Sequence, residues 1–368
     1  ITILLFFLGT GIWVAISMIG VSALGMIFFT SRPVGDAMAT TIWGTSSSWT
    51  LTALPLFVWM GEILFRTKLS ENLFEGLAPW LQKLPGGLIH VNVVGCALFA
   101  AISGSSAATV ATVGKMSIPE LRKRKYPEKI LLGSLAGSGT LGLLIPPSII
   151  LIIYGVTVQE SIAKLFIAGI IPGIMIALIF MGYVIVWSLL NKNKMPTNYE
   201  NFSFLNKLSK SKQLIPVILL ILGVIGSIYT GIATATEAAS LGVIGALILS
   251  YFQKSLTLKT FKDSLLGATK TSCMIAFILA GATFLSLAMG FTGLPRNLAL
   301  WIQNMELSPY VLIFVLMIFY IILGMFLDGI SAVVLTMAII EPMIRQAGFD
   351  MIWFGIFLVI VVEMAQIT

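Results

Sequence analysis

Apolar runs long enough to cross a lipid bilayer recur along the whole chain. The clearest of these runs are Ile3–Phe29, Ile149–Leu190, Leu214–Tyr229, Leu241–Phe252, Met274–Met289, Val311–Phe326 and Ile352–Val362. A membrane-crossing α-helix needs about 20 predominantly apolar residues. Only 10% of the 368 residues are charged, whereas a soluble domain carries about a quarter, and the mean hydropathy is +1.02. The sequence therefore predicts an all-α polytopic membrane protein whose surroundings are the lipid bilayer.

Basic residues lie mainly in short loops between these apolar runs. The net charge of +7 thus follows the positive-inside pattern of cytoplasmic loops and does not indicate a nucleic-acid partner. The first apolar run is too long and too continuous for a cleaved signal peptide. Because the chain starts with Ile1 rather than Met, we expect the natural polypeptide to extend beyond Ile1 and beyond Thr368.

A single long polar stretch, residues 191–213, carries five lysines and divides the chain into residues 1–190 and 214–368. We expect this stretch to be a cytoplasmic linker, because lysine-rich loops stay on the cytoplasmic side. The two parts that it separates are comparable in length, and each contains a similar irregular segment.

In the first half, the apolar segment Phe99–Gly114 has one glycine and three serines at its centre, Ser103–Ser106. Glycine and serine are unfavourable inside a helix, which predicts a re-entrant helical hairpin over about 88–119, hairpin 1, with its tip at these four residues. Pro146 and Pro147 follow in the middle of the next span. Each proline removes a helical hydrogen bond, so a broken helix is predicted at about 130–155.

The second half repeats this pattern. Within Gly324–Pro342, the residues Gly329–Ala332 interrupt an apolar run that ends at a proline. This predicts a second re-entrant hairpin over about 311–343, hairpin 2, and a truncated broken helix from about 352. Five basic residues follow hairpin 1, in Arg122–Lys129, whereas Arg345 alone follows hairpin 2. By the positive-inside rule the two hairpins face opposite sides of the membrane. The halves are therefore predicted to form an inverted repeat.

Inverted repeats with broken helices are typical of secondary transporters, which bind substrate and coupling ions near the membrane midplane. The oxygen-rich hairpin tips suit Na⁺, but the same groups would suit protons or a polar substrate. Asp328, beside the tip of hairpin 2, either holds the hairpin in shape or helps to neutralise a cation. Close helix packing also explains small residues, yet two clusters at matched positions favour a functional role.

The sequence contains no signature of an enzyme. His90 is the one histidine, so a His-Glu-x-x-His zinc site is absent, and no Walker motif or Gly-rich phosphate loop occurs. We therefore expect transport driven by an ion gradient or by another subunit.

Several segments, in this order, resemble the DctM-like large membrane subunit of TRAP (tripartite ATP-independent periplasmic) transporters, in the ion transporter superfamily. The matching segments are Gly86–Asn92, Ile102–Thr109, Ile145–Ser148, Tyr154–Gly155, Phe166–Gly173, Thr236–Ala239 and Gly324–Asp328. The resemblance implies an elevator-type permease in the bacterial inner membrane that takes up a carboxylate-bearing organic anion, such as a C4-dicarboxylate or sialic acid, by sodium symport. It also implies two partners, a small four-helix TRAP membrane subunit and a periplasmic substrate-binding protein.

The resemblance further implies which residues bind the ions and the substrate. For a first Na⁺ site these are Ser103, Ser106, Gly142, Ile145 and Pro147. For a second Na⁺ site they are Gly324, Ala365 and Thr368. The hydroxyl groups implied to line the substrate cavity are those of Ser105, Thr109, Thr140 and Ser331.

Three features depart from the family pattern. Thr109 stands where family members often have an acidic residue, and Ala235 stands where they often have proline. Family members also continue with a double proline and a further span after the position of Thr368. The alternative to a TRAP subunit is a stand-alone ion-coupled anion carrier of the same superfamily, which would have nearly the same fold and would need no binding protein.

Overall fold

The computed structural model describes residues 2–67, 69–196, 203–293, 297 and 308–367. Within these ranges every regular element is a helix, and no strand occurs. The α-helices are α1 Thr2–Gly9, α2 Val14–Phe29, α3 Val34–Ser46, α4 Ala53–Phe65, α5 Leu69–Leu81, α6 Ile89–Ser103, α7 Ser106–Lys123, α8 Glu128–Gly139, α9 Ile149–Val158, α10 Ile162–Leu190, α11 Phe204–Ser211, α12 Ile215–Tyr229, α13 Ala235–Phe252, α14 Leu258–Thr292, α15 Pro309–Gly324, α16 Gly329–Gln346 and α17 Met351–Ile367. Short 3-10 helices lie at Trp49–Thr52, Thr140–Leu143 and Lys192–Lys194.

Many of these helices are apolar and long. By length and composition, four helices of the described ranges, α10, α13, α14 and α16, could each cross a bilayer. The number rises to six when two bent pairs are counted as single spans. These pairs are α3 with α4, bent by 52°, and α11 with α12, bent by 54°. The prediction of an all-α polytopic membrane protein is confirmed.

Hairpin 1 consists of α6 and α7, which are joined by Gly104 and Ser105. Gly104 has a left-handed backbone with φ of 60°, a conformation that glycine adopts without strain, and this residue ends α6. Ser105 then caps α7, because its side chain accepts a hydrogen bond from the Ala108 N–H. A Cβ added at Gly95 of α6 would lie 3.6 Å from Cγ1 of Val113 in α7, so the two arms pack side by side.

The following span, from α8 to α9, is interrupted at residues 144–148, which we call the break. The 3-10 helix Thr140–Leu143 leads into it, and Pro146 and Pro147 lie within it. Neither proline can donate a backbone hydrogen bond, so a regular helix cannot continue through them. Ser148 restarts the helix as the N-cap of α9, where its Oγ accepts from the Leu151 N–H at 3.3 Å.

Hairpin 2 consists of α15 and α16. Asp328 caps α16 by accepting a hydrogen bond at Oδ2 from the Ser331 N–H, at 3.1 Å. Between the arms, the buried Tyr320 hydroxyl lies 2.6 Å from Oγ1 of Thr336 and joins them by a hydrogen bond. The next helix, α17, continues to Ile367.

The bases of the two hairpins lie at opposite ends of the α8–α9 span. At the start of α8, Nε of Arg122 in hairpin 1 forms an ion pair with Oε1 of Glu128, at 2.7 Å. At the end of α9, Nη2 of Arg345 in hairpin 2 donates to the Val158 carbonyl oxygen at 3.2 Å. The hairpins therefore point toward the break from opposite directions. The inverted repeat stays a prediction, and this arrangement agrees with it.

Other helices support hairpin 1 from the side. Nε1 of Trp59 in α4 donates to the Ser264 hydroxyl of α14 at 3.3 Å, which joins these two long helices. A Cβ added at Gly61 of α4 would lie 3.1 Å from Cα of Ser103, at the end of α6. Because this contact is made through glycine, α4 approaches the tip of hairpin 1 very closely.

Candidate functional site

The tip of hairpin 1 lies directly against the break. The carbonyl oxygen of Gly104 accepts a hydrogen bond from the Ile149 N–H at 3.2 Å. A Cβ added at Gly104 would collide with the Pro147 carbonyl oxygen, and one added at Gly142 would lie 2.8 Å from the Ser105 carbonyl oxygen. Glycine at residues 104 and 142 therefore permits the two irregular segments to meet backbone to backbone.

Internal hydrogen bonds hold the tip of hairpin 1 in shape. The Ser103 hydroxyl lies 2.9 Å from the Thr109 hydroxyl, and the Thr109 hydroxyl donates to the Ser105 carbonyl oxygen at 2.8 Å. Both Ser103 and Thr109 are buried. The side chains of these two residues thus stabilise the turn from inside the hairpin.

The start of α16, in hairpin 2, faces the same region from the other side. A Cβ added at Gly329 would lie 2.8 Å from Cγ1 of Val362, 3.0 Å from Nε2 of Gln366 and 3.3 Å from Cδ1 of Ile150. Gly329 is therefore in contact with α17 and with the first turn of α9. The tips of both hairpins and the break converge on one place in the fold.

A cavity of about 130 Å³ lies at this convergence. It is lined by Gly104, Ser105, Ser106, Leu143, Ile149, Ile150, Asp328, Gly329, Ile330 and Gln366. The volume is enough for a few water molecules and is below the usual range of pockets for drug-sized ligands. The cavity therefore suits a small polar ligand.

Three helices begin at this cavity: α7 at Ser106, α9 at Ile149 and α16 at Gly329. Each helix N-terminus exposes backbone N–H groups and carries about half a positive elementary charge. Two helices end beside it, α6 at Ser103 and the 3-10 helix at Leu143, and these ends expose carbonyl oxygens. The site can thus offer N–H donors to an anion and carbonyl oxygens to a cation.

Carboxylate and histidine ligands are scarce here. Nowhere in the described ranges do three or more His, Cys, Asp or Glu side chains lie close enough to hold a metal ion. A cation at this site would depend on backbone and hydroxyl oxygens, with the exposed Asp328 as the nearest acidic group among the lining residues. Neutral oxygen ligands of this kind fit Na⁺, as in transporters with broken helices.

The structure brings together most residues predicted for the first Na⁺ site. Ser106 lines the cavity. Gly142 lies against the backbone of Ser105, and the Pro147 carbonyl oxygen lies against Gly104, so both residues contact the tip of hairpin 1. Ser103 ends α6 at the same tip. Ile145 lies in the break, and its side chain contacts Gly173 of α10 rather than the cavity.

The residues predicted for the second Na⁺ site lie between hairpin 2 and α17. A Cβ added at Gly324 would lie 2.5 Å from Cβ of Ala365, so these two residues are in direct contact. Thr368, the third predicted residue, lies outside the described residues.

Of the four predicted substrate residues, Ser105 and Ser331 lie at the cavity or its edge, and Thr109 and Thr140 do not line it. Ser105 lines the cavity, and the backbone N–H of buried Ser331 donates to the Asp328 carboxylate at its edge. The Thr140 hydroxyl donates to the Gly137 carbonyl oxygen at 2.8 Å and is buried, as is Thr109 inside hairpin 1. Neither threonine is among the residues that line the cavity, and their contact with substrate stays a prediction.

Sequence reasoning did not identify Gln366 as a site residue. Its side chain lies beside Gly329 and lines the cavity. Val362, four residues earlier, contacts the same glycine, and this i, i+4 spacing is the only sequence signal that places both on one face of α17.

One family of protein sequences matches the chain over residues 1–368, the DctM component of tripartite ATP-independent periplasmic transporters. The chain is similar to the C4-dicarboxylate TRAP transporter large permease protein DctM of Pseudomonas aeruginosa, with 31% identity over 94% of the chain and 80% of that protein. It is equally similar to the sialic acid TRAP transporter large permease protein SiaM of Vibrio cholerae, with 31% identity and the same two coverages. The isethionate TRAP transporter permease protein DctMQ of Oleidesulfovibrio alaskensis is 31% identical over 98% of the chain and 57% of that longer protein.

The fold is also similar to a solved structure, that of MtrF from Neisseria gonorrhoeae, which belongs to a class of antimetabolite efflux pumps. The TM-score is 0.51, and the match covers 90% of this chain and 73% of MtrF. Because the sequence identity is only 14%, this likeness concerns the fold alone.

Proposed function

Since the chain belongs to the DctM family of tripartite ATP-independent periplasmic transporters, we propose that it takes up a carboxylate-bearing organic anion together with Na⁺. The TRAP resemblance read from the sequence is confirmed. The chain is accordingly a permease subunit and not an enzyme, and it lies in the bacterial inner membrane as a multi-pass protein. The coupling ion, the substrate and the partners of this particular chain are proposals.

One observation carries the proposal of an anionic substrate: the N-termini of α7, α9 and α16 meet at one cavity. Three such termini direct partial positive charge at the cavity, where no lysine or arginine lies among the lining residues, and this charge offsets part of the negative charge of the Asp328 carboxylate. A carboxylate would accept hydrogen bonds from their backbone N–H groups and from the hydroxyls of Ser105 and Ser106. The substrate classes named for the relatives, C4-dicarboxylate and sialic acid, both carry such a group.

Support for Na⁺ as the coupling ion comes from the C-terminal ends of α6 and of the 3-10 helix Thr140–Leu143, whose carbonyl oxygens lie beside these N-termini. At the first site the ion would bind between the tip of hairpin 1, with Ser103 and Ser106, and the span containing Gly142 and Pro147. Their close backbone contact favours a small ion that replaces its hydration shell with neutral oxygens. The second ion would bind beside Gly324, where hairpin 2 contacts α17.

The proposed transport movement is of the elevator type, in which the two hairpins and the broken span move together against the other helices. The contacts between tips and break support this, because they make these elements one packed unit. Two partners complete the proposal. A small four-helix membrane subunit would enlarge the stationary part, and a periplasmic binding protein would deliver the anion. The DctMQ relative supports the first partner only in that it is a longer permease protein, of which this chain covers 57%.

Uptake into proteoliposomes tests the proposal. The full-length permease with its small membrane partner would be given radiolabelled succinate or sialic acid, with and without an inward Na⁺ gradient and with and without binding protein. We expect accumulation of one of these anions only when both Na⁺ and binding protein are present. Uptake that is unchanged when K⁺ replaces Na⁺ would refute the coupling ion, and uptake with Na⁺ alone would favour the stand-alone carrier.

A further inference from the structure

The polar linker between the two halves contains a short helix, α11, whose outward face is apolar. In this helix the side chains of Phe204, Leu205 and Leu208 are 66%, 74% and 49% exposed. Residues one and four positions apart share one face of a helix, so these three side chains form a single apolar surface. A contiguous exposed apolar surface indicates a site of interaction.

The helix α11 does not continue the span that follows it. It meets α12 at a bend of 54°. Residues 214–233 alone supply the apolar length of about 20 residues that a crossing needs. If α11 continued the crossing, the lysines at residues 207, 210 and 212 would enter the hydrocarbon, where a charged side chain is costly. The helix α11 therefore lies at the level of the membrane surface, beside the start of α12.

Contacts with α5 fix which face of α11 turns outward. Nε1 of Trp80 in α5 donates to the Ser211 hydroxyl at 2.7 Å. The ring of Trp80 also lies 6.2 Å from the ring of Phe204, in an edge-on arrangement. The side of α11 that bears Ser211 thus faces α5, and the exposed Leu205 and Leu208 lie outside this contact.

The charge of α11 is complementary to an anionic surface. The helix contains no acidic residue, Lys207 lies beside its apolar face, and the exposed Lys212 follows its last residue. Nζ of Lys207 lies 5.3 Å from the centre of the Trp80 ring. Tryptophan is enriched at the boundary between membrane and water. An apolar face combined with lysines on the polar side is typical of a helix that lies in the headgroup region of a bilayer.

We propose that α11 binds the cytoplasmic leaflet of the bilayer, with Phe204, Leu205 and Leu208 inserted and with Lys207 and Lys212 beside the phosphates of anionic phospholipids. The lysine-rich linker belongs on the cytoplasmic side, where the leaflet carries the anionic lipids. A bilayer offers an apolar layer and a charged layer within about 5–10 Å of each other, as this helix requires. Through Trp80, α11 also holds α5 at the membrane surface. This inference does not depend on which substrate or coupling ion the permease uses.

Nitroxide labels at two neighbouring residues of α11 test this surface in the full-length protein. The protein, with its native cysteines replaced, is placed in nanodiscs of phosphatidylcholine with or without phosphatidylglycerol. One label is attached at Leu205→Cys. The matched control label is attached at Asn206→Cys, which is also exposed but lies about 100° further round the helix, away from the apolar face. The measured quantity is the ratio of collisions with oxygen, which concentrates in the bilayer, to collisions with a water-soluble nickel complex.

We expect this ratio to be severalfold higher for the label at residue 205 than for the label at residue 206, and to rise when phosphatidylglycerol is present. Frequent collisions with nickel at both labels would show that α11 lies in water. Shielding of the label at residue 205 from both reagents would show that protein covers the apolar face. Either result would overturn the proposal.

Removal of lysines tests the anionic partner. Lys207→Gln combined with Lys212→Gln should lower the ratio at residue 205 in the discs with phosphatidylglycerol, because each lysine strengthens binding to an anionic surface about fivefold. The matched control, Lys192→Gln combined with Lys194→Gln, removes two exposed lysines from the same linker but outside α11, and should leave the ratio unchanged. An equal fall in both proteins would refute anionic phospholipid as the partner, as would a ratio that responds neither to phosphatidylglycerol nor to lysine removal.

Discussion

Gly142→Ala tests whether transport depends on the close contact between hairpin 1 and the broken span. A Cβ at residue 142 would lie 2.8 Å from the carbonyl carbon and oxygen of Ser105 and 2.9 Å from the nitrogen of Ser106. Ordinary contact begins at 3.4 Å, so the two backbones would have to separate by about 0.6 Å, the difference between these distances. No rotamer change can relieve this contact, because every opposing atom belongs to the backbone.

Overpacking of this kind costs about 1–3 kcal/mol. In the proposed mechanism, only the closely packed arrangement forms the first Na⁺ site. The substitution should therefore lower the apparent affinity for Na⁺ by about 5- to 150-fold, the factor that corresponds to this energy. The assay is the Na⁺ concentration that gives half-maximal uptake into proteoliposomes, with the amount of folded protein checked by size-exclusion chromatography.

Gly133→Ala is the matched control, because it makes the same change in α8, and a Cβ at this residue would meet no atom within 4 Å. We expect the control to keep the wild-type Na⁺ dependence. If Gly142→Ala also keeps it, the tip of hairpin 1 does not need its contact with the span, and the proposed first site is refuted.

Three further predictions concern the hairpins. Ser106→Trp, which fills the cavity, should abolish Na⁺-dependent uptake while membrane insertion stays normal; normal uptake would contradict a role for the tip. Asp328→Ala should lower the thermal unfolding midpoint of the protein, because losing an N-cap costs about 0.5–2 kcal/mol, whereas Asp328→Asn should keep the midpoint; a loss of uptake in Asp328→Asn would then assign the charge to transport. Tyr320→Phe removes the buried hydrogen bond to Thr336 and should destabilise by about 0.5–1.5 kcal/mol, whereas Tyr310→Phe, at an 80% exposed residue, should have no effect in the same thermal measurement.

Local chemistry explains why the sequence indicates hairpin 1 and the break. The cluster Ser103–Ser106 is unfavourable inside a helix, and the structure places the turn there, at Gly104 and Ser105. Pro146 and Pro147 cannot continue a helix, and the structure has five non-helical residues at 144–148. Both features follow from the backbone preferences of glycine, serine and proline, which act within their own segment of the chain.

The cavity lining depends on contacts between distant segments, and these leave little trace in the sequence. Ile150 and Gln366 belong to ordinary apolar helices, and only the fold brings them to Gly329. The same limit applies to threonine hydroxyls. Thr109 and Thr140 carry the hydroxyl that a polar site needs, but in the structure these groups bond to nearby carbonyl oxygens. Competition from local backbone acceptors is a general property of threonine in helices.

The geometry of the tip and the break links the proposed cation and anion sites through shared turns. At Gly104 and Ser105 one helix ends and another begins, so carbonyl oxygens and N–H groups are exposed by the same few residues. Residues 144–148 do the same between the 3-10 helix and α9. A Na⁺ ion held by the carbonyl ends would fix the tip against the break, and this would fix the N-termini of α7 and α9 that face the anion. Binding of either ion then strengthens binding of the other by the same factor, because coupling between two sites is reciprocal.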